Sequence, residues 1–175
     1  DLPIGTYTDF AIGKFENTGN PLDIAIDNPN GFFQLEDEDG NQFLTRAGNF
    51  QLSKDGFIIA KDGKFLLGEQ GRLNVLRELI INSSTIEGNI AANIKITERG
   101  EIFLNQAFIG KINIVKVEQL GSLEKVNGIY FKPSDETQME NFPQDEILLR
   151  QGWVESSNVD VIREMVEVIE LQRLF

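Results

Sequence analysis

The chain has 175 residues, 41% of them hydrophobic and 25% charged, which is typical of a globular protein with one large domain or two small ones. Its net charge of −12 and its lack of any Lys or Arg cluster argue against nucleic acid and anionic lipid as partners. It contains no Cys and no His, which excludes disulfides, thiol nucleophiles, His-based triads and most zinc sites, and no apolar run approaches the roughly 18 residues of a membrane span.

The first half of the chain predicts antiparallel hairpins. Residues 1–15 are expected to be extended, with Tyr7, Phe10 and Phe15 as anchors onto a sheet. Short apolar or alternating runs then predict strands over residues 22–26, 32–35, 42–46, 49–52, 57–60 and 65–67. Asp-Gly pairs at 39–40, 55–56 and 62–63 favour hairpins, because both central residues of such a turn can adopt positive φ.

The second half continues the β pattern. Strict alternation over residues 109–117 predicts one strand with a buried and an exposed face. Asn127 and Gly128 predict a further turn, residues 133–144 an acidic surface loop, and residues 147–154 a last strand. The fold class is therefore mainly β, with an antiparallel outer domain over residues 1–154.

The final stretch, residues 155–175, predicts the start of an amphipathic helix. Ser157 fits the cap position, and one helix face carries five apolar residues: Val159, Ile162, Met165, Val166 and Ile169. No Gly or Pro stops the pattern before Phe175, so we expect the helix to continue in a longer protein. The stripe could pack on the chain's own core, or it could pair with another helix.

The residue patterns that suggest chemistry are weak. Asp37, Asp39 and Asn41 alternate like the start of a calcium loop, but Gly40 is misplaced and the twelfth position is Gly48, where calcium binding needs a Glu. These residues are therefore interpreted as a solvated turn.

No other pattern points to a reaction. Among 28 Asp and Glu, no spacing singles out a catalytic pair, and Ser156 and Ser157 lack a nucleophile elbow and a histidine base. We expect no catalytic residue, metal or cofactor. A secreted β-rich hydrolase using acidic residues, and a carbohydrate- or peptide-binding module, remain the alternative functions.

Several long motifs resemble those of bacterial flagellar rod and hook proteins, in order and spacing across nearly the whole chain. The first is Thr18, Gly19, Asn20, Pro21, Leu22 and Asp23, continuing to Ile26. The second includes Arg46, Gly48, Asn49 and Phe50, and the third runs from Gly152 through Ser157 and Asn158 to Asp160. Residues 2–10 and 68–71 are more similar to the proximal rod paralog than to the distal one.

This resemblance implies an axial structural protein of the flagellar basal body. Its N-terminal helix would precede Asp1 and most of its C-terminal helix would follow Phe175. The two helices would pair into an inner tube, with the face of Val159, Ile162, Met165, Val166 and Ile169 packed inside it. The implied partners are other copies of itself and other rod or hook proteins, in a periplasm-spanning rod reached through the flagellar export apparatus. The turn at Arg46 is expected to be structural, with Gly48 in a backbone conformation closed to other residues.

Overall fold

A computed structural model describes residues 13–77 and 89–156 of the chain. These residues form short β-strands, and every strand pairing among them is antiparallel. The strands are β1 (Phe15–Asn17), β2 (Ile24–Ile26), β3 (Gly31–Glu36), β4 (Gln42–Thr45), β5 (Gln51–Leu52), β6 (Ile58–Ile59), β7 (Phe65–Gly68), β8 (Gly71–Arg72), β9 (Ile94–Ile96), β10 (Glu101–Leu104), β11 (Ala107–Lys111), β12 (Ile114–Val117), β13 (Leu123–Val126), β14 (Tyr130–Pro133), β15 (Met139–Asn141), β16 (Leu149–Gln151) and β17 (Trp153–Glu155). The mainly β prediction is confirmed for this part of the chain.

The largest sheet runs in the order β13-β14-β4-β3-β7-β6-β5, with β12 and β15 added beside β3 and β8 added beside β7. A three-stranded sheet has the order β11-β10-β9. Two further ribbons, β1 with β17 and β2 with β16, join early strands to late ones. The two end regions of the described chain are therefore held together by backbone pairing.

Both faces of the large sheet are covered, because neighbouring residues of a strand point to opposite sides. Phe32 and Phe33 are adjacent in β3, and both are fully buried. Phe33 belongs to the main core, where it packs edge to face against Phe50 with the ring centroids 5.1 Å apart. Phe32 belongs to a smaller cluster on the other face, with Leu44, Val115 and Val117. Two cores thus fix the register of the central strands.

The Asp-Gly hairpins form where the sequence predicts them, but the turns are of another type. At Gly40, Gly56 and Gly63 only the glycine has positive φ, whereas the preceding Asp does not. In each turn the glycine N–H donates to the carbonyl three residues earlier. The two residues that close the loop by a backbone hydrogen bond are four positions apart, as Ser53 and Phe57 are. This is a type I turn followed by a left-handed glycine, which also twists the strands correctly. Positive φ at two successive residues occurs at Asn127 and Gly128, where the sequence predicts a turn, which connects β13 to β14. It also occurs at Asn105 and Gln106 between β10 and β11, a turn that the sequence analysis missed.

Three boundaries in the second half were predicted wrongly. Residues 109–117 form two strands, β11 and β12, because the chain leaves the small sheet for the large one near Ile112. The predicted loop over residues 133–144 contains β15, which pairs with β12. The predicted strand over residues 147–154 is divided into β16 and β17 by Gly152, whose φ is +84°. Alternation alone does not reveal which sheet a strand joins.

The predicted C-terminal helix, with its apolar face of Val159, Ile162, Met165, Val166 and Ile169, lies outside the described residues. Within the described residues, no helix combines the length and the apolar character needed to cross a membrane.

Candidate functional site

The candidate site is the place where the first and last described segments meet. Strand β1 pairs with β17 in the register Phe15 to Glu155, Glu16 to Val154 and Asn17 to Trp153. Beyond this ribbon, the Ser156 N–H donates to the Lys14 carbonyl at 2.7 Å. The first and last segments of the described chain therefore lie side by side. We call this ribbon, with the residues that brace it, the terminal junction.

The first family-like motif forms a loop that anchors the junction. The buried Asp23 carboxylate accepts hydrogen bonds from Thr18 Oγ1 at 2.6 Å and from Asn20 Nδ2 at 3.0 Å. The N–H groups of Thr18 and Gly19 both donate to the Gly152 carbonyl, and the Gly152 N–H donates to the Asp23 carbonyl at 2.7 Å. Polar side chains and backbone groups thus tie residues 18–23 to the bend before β17, and an unpaired carboxylate at Asp23 would be costly.

Arg46 is the central brace of the junction. Its Nε donates to Glu155 Oε2 at 2.8 Å, and both side chains are largely buried, with 13% and 8% of their surfaces exposed. Its Nη1 donates to the Asn28 and Gly31 carbonyls at 2.8 and 2.6 Å, and its Nη2 donates to the Ile26 carbonyl at 2.8 Å. One guanidinium therefore joins β17 to the turn between β2 and β3, with the planar fork that only Arg provides.

Glu155 completes this brace from the other strand. Its Oε1 accepts a hydrogen bond from the Gly13 N–H at 2.9 Å while Oε2 holds Arg46. The carboxylate therefore links the segment before β1, the strand β17 and the second motif. Because Glu155 lies in the last described strand, this contact fixes the position of β17 against the second motif.

The second motif is explained by a close backbone approach. The chain near Gly48 runs beside β2: the Gly48 carbonyl accepts from the Ile24 N–H at 2.9 Å, and the Phe50 N–H donates to the Leu22 carbonyl at 3.1 Å. A Cβ on Gly48 would lie 1.6 Å from the Ile24 carbonyl oxygen. Its φ is not positive, so the expected special backbone conformation is wrong, and Gly is required by contact instead. Asn49 forms an isolated antiparallel β-bridge with Asp23, and Phe50 packs in the main core.

The sequence analysis missed two bracing side chains. Gln151 donates from Nε2 to the carbonyls of Pro21 and Ile94 at 2.9 and 2.8 Å, and its Oε1 accepts from the Ile96 N–H. Asn28 accepts the Leu148 N–H at 2.8 Å and donates to the Glu146 carbonyl. The side chains of Gln151 and Asn28 bond to backbone groups far away in the sequence, so their residue types alone do not reveal this role. The signal in the sequence was their position beside the family-like motifs.

Away from the junction, the pKa values of three titratable groups are shifted by burial and by hydrogen bonds. Burial alone would raise the pKa of Asp62, but hydrogen bonds from Lys64 and Tyr130 outweigh burial and lower it. Burial, together with the nearby Asp62 carboxylate, raises the pKa of Tyr130. At Asp37, hydrogen bonds from Asn41 lower the carboxyl pKa, which supports the interpretation of that stretch as a turn.

The terminal junction can hold two chain segments in a fixed relation, which is a mechanical role. Ser157 and Asn158 of the third motif, like the predicted helix face, lie outside the described residues. Within residues 13–77 and 89–156, no group of three or more Asp or Glu side chains is placed to hold a metal ion.

Comparisons with known proteins agree with the motifs. The family model described as "Flagellar hook protein FlgE/F/G D1 domain" matches residues 25–104. The model described as "Flagellar basal body rod FlgEFG protein C-terminal" matches residues 150–175. Strands β3 to β10 fall within the first match and β17 within the second.

Individual relatives extend the match over nearly the whole chain. Flagellar basal-body rod protein FlgG of Buchnera aphidicola subsp. Schizaphis graminum is 30% identical over 182 residues, which cover 99% of this chain and 64% of the relative. FlgG of Bacillus subtilis is 30% identical over 171 residues, covering 91% of this chain and 60% of the relative. FlgF of Caulobacter vibrioides is 25% identical over 174 residues, covering 99% and 65%. The chain thus spans somewhat less than two thirds of the length of these relatives.

Proposed function

The chain belongs to the flagellar basal-body rod and hook protein family, and from this premise we propose that it is a structural subunit of the bacterial flagellar rod. In this role it assembles with copies of itself and with related axial proteins into the shaft that transmits torque to the hook. Its place is the periplasm-spanning rod of the basal body, reached through the flagellar export apparatus. The resemblance to the proximal rod paralog stays a prediction, since the relatives include proteins named FlgG and FlgF.

The observation that carries this proposal is the terminal junction. A shaft subunit must pass force between an inner assembly and its outer domain, and here both terminal segments enter the β domain through one ribbon, β1 with β17. Arg46 and Glu155 attach that ribbon to the interior of the domain through a buried ion pair. A load on either terminal segment is therefore transferred to the large sheet rather than to a flexible tether.

Residues 1–154 serve in this proposal as the outer domain, and residues 155–175 begin the C-terminal helix of the inner tube. The face of Val159, Ile162, Met165, Val166 and Ile169 packs against neighbouring helices there. Burying one such side chain is worth about 1.5–3 kcal/mol, and a charge in its place costs more. The remaining family motif residues, including Ser157 and Asn158, shape the domain and its link to the helix.

The enzymatic and ligand-binding alternatives have weaker support. A glycosidase needs two carboxylates about 5–10 Å apart flanking a substrate cleft. Both family models and the relatives are instead of rod and hook proteins, a family without enzymatic function. We therefore assign no reaction, cofactor or small-molecule substrate to this protein.

Motility complementation tests the proposal. We expect full-length protein carrying Ile169→Asp to be exported but to leave cells without a rod and non-motile, while the purified 175-residue chain with the same change melts as the parent does. Glu164→Gln, on the side of the predicted helix opposite the apolar face, is the matched control and should support swimming. Normal swimming with Ile169→Asp would refute the inner-tube role of this face.

A further inference from the structure

The hairpin turn between β13 and β14 carries an Asn-Gly pair whose side chain and backbone N–H are unrestrained. Asn127 and Gly128 are both exposed, with φ of +51° and +81°. In the part of the chain that the structure describes, no hydrogen bond holds the Asn127 side chain or the Gly128 N–H. A Cβ on Gly128 would meet no heavy atom within 4 Å, so the space around the pair is open.

An asparagine followed by glycine can lose the nitrogen of its side chain as ammonia. The backbone nitrogen of the glycine bonds to the side-chain carbonyl carbon and closes a succinimide ring, and the amide leaves as ammonia with the proton of that N–H. Water then opens the ring at one of its two carbonyl carbons. The products are aspartate and isoaspartate, in which the main chain runs through the side-chain carboxyl and gains a methylene group. Glycine favours ring closure because it has no Cβ to hinder the approach.

The other Asn-Gly and Asp-Gly pairs of the sequence are restrained, because each of their glycine N–H groups donates to the carbonyl three residues earlier. These glycines are Gly31, Gly40, Gly56 and Gly63. Asn30 and Gly31 form the closest comparison, since they are the same dipeptide. Gly31 is buried at the start of β3, and its carbonyl accepts a hydrogen bond from Arg46 Nη1. The Asn30 carbonyl accepts from the Val117 N–H at 3.0 Å. Two chemically identical pairs therefore lie in opposite surroundings.

Ring closure requires the turn to open, because the peptide group after the asparagine must rotate towards the side chain. Strand β13 lies at one edge of the large sheet, and its four residues are exposed or half-buried. Local opening costs little free energy at an exposed turn beside an edge strand. Opening at Gly31 would instead separate β3 from its neighbours β4 and β12 in the middle of the sheet. The fold therefore directs the reaction to Asn127.

We propose that Asn127 is a site of spontaneous deamidation, at which the folded protein accumulates isoaspartate. The added methylene lengthens the main chain just before the Ile129 carbonyl, which accepts the Thr45 hydroxyl at 2.7 Å. Thr45 is only 1% exposed, so a shift of that carbonyl leaves a buried donor unpaired. Thr45 directly precedes Arg46, and the modification therefore loosens the strand that carries the brace of the terminal junction. This modification goes beyond the proposed function and does not depend on it.

Peptide mass spectrometry of the aged 175-residue chain tests the site. One sample is incubated folded at mildly alkaline pH, and a second is incubated in guanidinium chloride. In the unfolded sample Asn30 and Asn127 should deamidate at similar rates, because glycine follows both. In the folded sample we expect Asn127 to be converted at least about tenfold faster than Asn30. If folding protects Asn127 as strongly as Asn30, or if Asn30 reacts faster, the proposal is overturned.

Asn127→Gln is the matched control variant, because glutamine would have to close a larger ring and reacts slowly. The chain already holds Gln106 at a φ of +73°, so the variant should fold and melt as the parent does. After ageing, it should lose most of the isoaspartate that an isoaspartate-specific carboxyl methyltransferase labels in the parent. Labelling equal to that of the parent would overturn the site.

Melting of the separated products tests the consequence at Thr45. Asn127→Asp reproduces the aspartyl product without the extra methylene and should melt as the parent does. The isoaspartyl fraction of the aged parent, purified by ion exchange, should melt lower by about 2–8 °C, because the Thr45 hydroxyl loses its acceptor. An isoaspartyl fraction that melts as Asn127→Asp does would overturn the link between the turn and the strand of Arg46.

Discussion

Replacing Arg46 by Met removes the guanidinium that braces the terminal junction while keeping a long apolar side chain. Four acceptors lose their donor: the Glu155 carboxylate and the carbonyls of Ile26, Asn28 and Gly31. The Glu155 side chain is only 8% exposed, so its charge stays buried without a positive partner, although the Gly13 N–H still donates to it. Removing one partner of such a pair costs about 3–5 kcal/mol. Since a domain is stable by only about 5–15 kcal/mol, Arg46→Met should be among the most damaging single changes.

The matched control is Arg150→Met. Arg150 also pairs with a carboxylate, Asp27, at 2.7 Å, but 45% and 25% of these side chains are exposed. Exposed pairs are worth about 0–1 kcal/mol, so the same substitution should be nearly silent there. Arg46→Lys keeps the charge but loses the planar fork and should fall between the two.

Urea unfolding of the 175-residue chain measures how much each variant lowers the free energy of unfolding, provided that the denaturant slopes of the variants agree. Thermal melting gives an independent value. A loss of 3–5 kcal/mol corresponds to a melting temperature lower by about 6–20 °C in a protein of this size. A double variant of Arg46→Met and Glu155→Gln should recover part of the loss, because it removes the uncompensated charge. If Arg46→Met and Arg150→Met cost the same, the reasoning that makes Arg46 the brace of the junction is refuted.

Further predictions concern single positions. Gly48→Ala should lower stability by about 1–3 kcal/mol or more, because its Cβ would overlap the Ile24 carbonyl, whereas Gly121→Ala meets open space and should change the melting temperature little. Tyr130→Phe should cost about 1–2 kcal/mol at neutral pH through the lost hydrogen bond to Asp62. The raised pKa of Tyr130 means that its contribution is complete below about pH 10 and is lost as the pH rises further, so urea titrations near pH 9 and pH 11.5 should find a smaller loss in Tyr130→Phe than in the parent. An equal loss in both proteins would contradict this coupling.

The sequence predicts the strands of the first half well, because local signals define them. Turn glycines such as Gly56 and Gly63 separate short alternating runs, and tight turns leave few choices of pairing. Even so, the exact turn type was wrong, since an Asp-Gly pair permits several turns and the number of residues in the loop selects among them. The first residues of β3 also show why Phe32 and Phe33 can both be buried: the sheet has cores on two sides.

Where the prediction failed, the deciding contacts are distant in sequence. The alternating pattern across Ile112 continues unbroken while the chain changes sheets, and β15 has no apolar period because its residues are exposed at an edge. In the candidate site, the motifs identified Arg46, Gly48 and Asp23 as structural residues. At Arg46 and Gly48 the reason is a partner distant in sequence, Glu155 or the Ile24 carbonyl, which local reasoning does not supply. Asp23 is instead held by Thr18 and Asn20 of its own motif.

The most direct test of the central claim is sedimentation velocity on two proteins: the 175-residue chain, and the full-length protein with its complete terminal helices. The account predicts that the 175-residue chain stays monomeric and that the full-length protein forms polymers, because the helices drive assembly. If both proteins remain monomeric at high concentration, alone and when mixed with related rod proteins, the proposal that this chain is a self-assembling rod subunit is contradicted.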